Sequence, residues 1–402
     1  MTASSARHDA LLIKTLTCMM FFMFAMTTDA VGSIIPTLIE EFGLSLSAAS
    51  AFHYVPMVAI AAGGLGLGFL ADRHGRKRTI ILGLLLYGVG SLLFVVGNRF
   101  GFFVALLGLS GVGVSVFKVG ALALIGDVTR STREHTTFMN TVEGFFAVGA
   151  IIGPALVATL LAAGISWKYL YVVAALICAL LMLAALFARY PDIQRSANAQ
   201  TNFTGTLAML KSRYALGFSC AVMLYVAVEV AIYVWMPTWL DTYDGNYAWL
   251  ATYALTLFFV LRAAGRFLGA WLLDRLAWDT VLAVLAAGIL LCFAGSLAGG
   301  TALAVWLLPL SGLFMSVMYP TLNSKGISCF PRSEHGAIAG VILFFTAFAA
   351  AAGPLAMAAI SDALGDIRYG FMLATGFAVL LFAGLLWNRL AAPAATRLAS
   401  AG

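Results

Sequence analysis

The sequence predicts an all-α polytopic membrane protein, with twelve transmembrane helices in two six-helix pseudo-repeats. Three observations predict it. The 402 residues are 62% hydrophobic and 10% charged, whereas soluble domains carry about 25% charged residues. The apolar residues gather into runs of the length that crosses a bilayer, about 20 residues each. Chemically matching positions recur at an offset of about 200 residues, as in carriers built from internal repeats.

The expected spans are 11–36, 47–70, 78–97, 101–126, 136–163, 167–188, 214–240, 247–273, 279–299, 302–325, 336–361 and 369–390. Lipid cannot satisfy backbone N–H and C=O groups, so only helices and closed barrels span it. These runs are too long and too uniformly apolar for barrel strands. The first run is longer than the apolar core of a cleavable leader and has no convincing cleavage site, so it is expected to stay as the first helix. Residues 1–188 form the first expected bundle and 214–402 the second. The polar stretch 189–213 between them reads as a cytoplasmic linker.

Charge placement sets the orientation. With the N-terminus inside, the inner links hold Arg73, Arg76, Lys77, Arg78, Arg130, Arg133, Arg189, Arg195, Lys211, Arg213, Arg275 and Arg332. The outer links hold Arg99, Lys168 and Arg368, and acidic residues such as Glu40, Glu41, Asp241 and Asp244 gather there. The positive-inside rule then places both termini in the cytoplasm. The net charge of +6 is spent on topology, which argues against nucleic-acid binding. The five cysteines show no metal spacing and read as small packing residues.

The repeats are specific. Asp29 is followed by Pro36-Thr37, and Glu229 by Pro237-Thr238. Gly153-Pro154 recurs as Gly353-Pro354, and Asp72-Arg73 as Asp274-Arg275. The two Gly-Pro pairs are expected to bend helices and allow close packing.

The segment from Gly68 through Asp72, Arg73, Gly75 and Arg76 to Arg78 resembles the loop signature of the major facilitator superfamily, and the segment ending at Asp274-Arg275 is a weaker copy. The resemblance implies the major facilitator fold. It also implies that Gly68, Asp72, Arg73, Gly75, Arg76, Asp274 and Arg275 form a cytoplasmic gate between the halves. A bland reading remains beside it, in which the basic loop only sets topology. A finer resemblance, carried by Tyr319-Pro320-Thr321, by Tyr225 to Val230 and by Asp29, is to the fucose–proton symporter family. Lys118 stands where that family suggests an acidic residue.

Charges inside a membrane are costly and mark function or pairing. Asp29, Glu143 and Glu229 are the candidate proton-coupling carboxylates, since desolvation can bring a carboxyl towards neutral titration. Lys118 and Glu143 are expected either to pair or to contact substrate. Lys118, Asn140, Tyr225, Trp235, Tyr319 and Asn323 are the candidate substrate-binding residues. Asn140 shares a helix face with Glu143, and the aromatic residues offer rings for a sugar to stack on. Arg262 and Arg266 are expected to snorkel to the cytoplasmic surface or to pair with Asp274. His53, His74, His135 and His335 read as surface residues at span ends or links.

The expected function is proton-coupled symport of a small polar nutrient such as a sugar, by alternating access, in a bacterial inner membrane. Three alternatives stay open: an organic-acid carrier using Lys118, proton-driven efflux of drugs or metabolites, and a non-transporting membrane sensor. No nucleophile–base pairing, metal spacing or phosphate loop points to an enzyme. No cofactor is expected; the expected partners are substrate, protons and lipid, and the chain is expected to be a monomer.

Overall fold

The computed structural model describes residues 3–67, 74–128, 132–188, 190, 210–330 and 335–394. Among them every regular element is a helix. Ten stretches are long and apolar enough to cross a membrane, and two details reconcile ten with twelve. The stretch Trp278–Ser328 has 51 residues; as one straight helix it would reach about 75 Å, more than twice the hydrocarbon thickness. It breaks at Gly300, whose φ of 60° and ψ of −155° suit a residue without Cβ, so it holds the ninth and tenth spans. The third span, Arg76–Leu93, opens on Arg76-Lys77-Arg78, which dilutes its hydropathy. There Lys77 Nζ donates to the carbonyls of Leu186 (2.7 Å) and Ala188 (3.0 Å), serving free acceptors at the end of the sixth span.

The first span departs from the expected single run 11–36. It is two helices, Ala3–Thr28 and Val31–Phe42, broken at Asp29-Ala30. Thr27 and Thr28 flank the break, and their hydroxyls bond back to the Phe24 carbonyl at 3.0 and 2.9 Å. Such back-bonding competes with the helical ladder and bends it. The other spans are Leu46–Ala49 continuing as Ala51–Gly66, then Phe100–Val128, Thr132–Ala162, Tyr169–Phe187, Arg213–Leu240, Ala254–Leu273, His335–Leu364 and Ile367–Ala391. The eighth span is shorter than the expected 247–273, because Ala248–Thr252 is a separate helix.

The chain gathers into two compact units, one of Met1–Gly43 with Ala51–Asn198, the other of Leu44–Ser50 with Ala199–Gly402. In the first unit the crossing of spans one and five is set by glycine: a methyl on Gly149 or Gly153 would strike the Phe22 or Met26 carbonyl oxygen. Small residues allow such approach between membrane helices. The unit also holds an aromatic cluster in which Phe94 stacks on Tyr171 (3.9 Å between centroids) and Phe103 meets Trp167 edge-on (5.2 Å). In the second unit Trp239 packs on Phe371 (4.5 Å). There too the Asp362 carboxylate accepts the backbone N–H groups of Leu46 (2.8 Å) and Ser47 (2.7 Å), which seats the short helix Leu46–Ala49.

Candidate functional site

Each unit carries its own group of charged side chains. In the first, Asp29 lies half-buried at the break in span one, and the Thr28 hydroxyl, whose one proton is shared with the Phe24 carbonyl, lies 3.3 Å from its Oδ1. A carboxylate at an interrupted membrane helix has backbone polar groups around it that an unbroken helix would have used up. Lys118, on span four, is half-buried and rests its ammonium over Phe21 (5.6 Å) and Phe24 (4.9 Å), both from span one. Aromatic faces attract a cation in this way. Glu143 and Asp29 are the carboxylates whose charges act on that ammonium. Glu143 itself is exposed on span five. The side chain of Asn140 lies outside the described residues.

In the second unit the centre is Glu229, buried on span seven. Arg262, from span eight, places its Nη2 at 2.5 Å from Glu229 Oε1. This corrects the expectation that Arg262 would reach the surface or pair with Asp274: a buried carboxylate needs a cation, and the guanidinium supplies one with several donors. The Tyr225 hydroxyl lies one turn from Glu229 on the same face, 2.8 Å from Oε1 and 2.9 Å from the Met315 carbonyl. That carbonyl ends the long helix Trp278–Met315, and the tenth span resumes at Met318. The phenol thus has one proton and two acceptors, one of which is a helix-end carbonyl.

The remaining candidates are dispersed. Trp235 is fully buried, and its indole N–H donates to the Pro354 carbonyl at 3.1 Å, so its polar edge serves the packing of spans seven and eleven rather than a ligand. Tyr319 and Asn323 are half-buried on the tenth span. Of the gate residues, Gly68, Asp72 and Arg73 lie outside the described residues. Gly75 has a φ of 84°, a conformation that accounts for glycine at that place in the motif. Asp274 is exposed, and Arg275 stacks on Trp271 at 4.1 Å. His53, expected at the surface, is 2% exposed; it sits about two turns into span two and turns inward among spans of the first unit. Sequence reasoning also missed the Glu229 partner. The available signal was an arginine well inside an apolar run, which membranes tolerate only with a counter-charge.

A bundle of membrane-spanning helices with ionisable groups built into its spans is an arrangement that membrane transporters use. The chain belongs to the Major Facilitator Superfamily, which it matches over residues 17–354. It is similar to a glucose/galactose transporter of Brucella abortus biovar 1 (strain 9-941), at 25% identity over 96% of each chain. It is also similar to the L-fucose-proton symporter of Escherichia coli (strain K12), at 26% identity over 78% of each. The fold is that of the nucleoside transporter NupG, with a TM-score of 0.75 at 14% identity over 94% of this chain and 98% of that one.

Proposed function

We propose that this protein is a proton-driven symporter that brings a small polar nutrient, a sugar, across a bacterial inner membrane by alternating access, with both termini in the cytoplasm. The observation that carries the reading is Asp29, a half-buried carboxylate at a break in a membrane helix. A carboxylate so placed has few roles other than taking up a proton or holding a polar ligand. The relatives named for glucose, galactose and fucose support sugar as the substrate class. In this reading Lys118, Asn140, Tyr319 and Asn323 contact the sugar, while Tyr225, fully buried with its hydroxyl on Glu229 and the Met315 carbonyl, holds Glu229 in place. Gly68, Asp72, Arg73, Gly75 and Arg76, with Asp274 and Arg275, close the cytoplasmic side.

In the same reading Glu229 is a second candidate for proton coupling. Arg262 pairs with it, and the Tyr225 hydroxyl lies between Glu229 and the Met315 carbonyl, which links this carboxylate to the break in span ten.

The test is uptake of labelled D-glucose, D-galactose and L-fucose into proteoliposomes with an imposed inward proton gradient. Accumulation of at least one sugar, abolished by a protonophore, is expected. No sugar accumulating, with or without the gradient, would end the reading. A second reading, organic-acid transport, is favoured by one observation: the Lys118 ammonium cradled by Phe21 and Phe24. It requires that Lys118→Met abolish carboxylate uptake while Lys118→Arg keeps part of it. Survival of sugar uptake in Lys118→Met, with no carboxylate carried by the wild type, removes it.

A further inference from the structure

Within the first unit a cavity of about 20 Å³ lies among spans one, two, three, four and six, walled in part by Thr27, Thr28, His53, Tyr87, Ser110 and Tyr171. About 10–15 Å³ suffices for one water, provided polar partners surround it. The partners are here. The Ser110 hydroxyl and the Tyr171 phenol are buried, at 5% and 2% exposure, and find no hydrogen-bond partner among the described residues. Buried polar atoms in native proteins are satisfied by protein or by ordered water. Both line this cavity, as does the imidazole of the buried His53. A hydrogen bond joins Tyr87 to Thr27 on another wall, and the hydroxyl of Thr28, next in the chain, lies 3.3 Å from Asp29 Oδ1.

We propose that this cavity binds one water, shared by Ser110, Tyr171 and His53, and that His53 is a second protonation site of the carrier, set inside the first bundle beside the Asp29 break. A protonated imidazole has two N–H donors and a neutral one has a donor and an acceptor. A water held by two hydroxyls that both donate and accept can turn to suit either state, which a fixed protein partner cannot. The ionisable groups facing the cavity are Tyr87 on span three and Tyr171 on span six. Spans one and four present Thr27, Thr28 and Ser110, and Asp29 follows Thr28 in sequence. The lining itself presents no lysine or arginine; the nearest cation along span four is Lys118, one turn beyond Val114, whose charge acts on Asp29. Protonation of His53 adds positive charge near Asp29 and sets the pH at which that carboxylate loads. This last role rests on the proton-symport reading; the water and the histidine site do not.

The test needs no substrate. The full chain, with His8, His74, His135 and His335 replaced by glutamine, is labelled with ¹⁵N on the remaining imidazole and studied by NMR in nanodiscs from about pH 5 to 8, the range in which histidine ordinarily titrates. The His53 signal is expected to titrate within that range and to show a cross-peak to bound water. Ser110→Ala and Tyr171→Phe are each expected to move its midpoint by about half a unit or more, since each removes one hydrogen bond from the shared water. A ring that keeps one neutral tautomer throughout, or a midpoint unmoved by both variants, overturns the proposal. Failure of sugar accumulation in the wild type would overturn the symport reading separately, without altering this titration.

Discussion

Arg262, partly exposed, and the buried Glu229, on neighbouring spans, form an ion pair with Nη2 and Oε1 2.5 Å apart. Breaking such a pair from one side strands a charge and typically costs about 3–5 kcal/mol, whereas removing both charges costs far less. Arg262→Gln and Glu229→Gln are each expected to lower the thermal midpoint of the purified protein strongly, and the double variant to recover most of the loss. Thermal unfolding followed by intrinsic fluorescence checks this. Additive losses in the double variant would mean that the two side chains do not stabilise each other.

The two Gly-Pro repeats are not equivalent. A Cβ at Gly153 would collide with the Met26 carbonyl, while at Gly353 it would meet Ala227 at an ordinary 3.5 Å. Gly153→Ala is expected to destabilise by about 1–3 kcal/mol through overpacking. Gly353→Ala should be neutral or gain up to about 1 kcal/mol from helix propensity. Unfolding midpoints of the two variants decide it, and equal effects would contradict the close crossing of spans one and five.

Asp366 caps the twelfth span, accepting the Arg368 backbone N–H at 2.8 Å and its Nε at 2.7 Å. The bond from the Arg368 side chain, helped by the backbone one, holds the Asp366 carboxyl below the usual carboxylate range. A carboxyl depressed in the folded state adds stability above its unfolded value of about 3.9, and that stability is lost as pH falls through the folded value. Asp366→Asn should therefore lower the unfolding midpoint slightly at pH 7, with the gap to wild type closing below about pH 4. A gap independent of pH would show that the charge plays no part in the cap.

Much of this was legible from the chain because lipid imposes simple rules. Uniform apolar runs gave the spans, and a carboxylate at Asp29 stood out against them. The break beside it was not read, although Thr27-Thr28-Asp29 carries the polar signal for one. The Glu229–Arg262 pair was hidden because its members lie on different spans, and no periodicity along one helix reports contact across two. His53 was misread for a related reason: it stands near the start of its span, and position along a helix does not tell which way a side chain faces.

The central claim is that Asp29 carries the coupling proton. The most direct measurement is proton entry into proteoliposomes, read with an enclosed pH dye when a transported sugar is added, for the wild type and Asp29→Asn. Sugar-dependent acidification is expected in the wild type and should vanish in Asp29→Asn, while exchange of labelled for unlabelled sugar persists. Full acidification by Asp29→Asn would contradict the account.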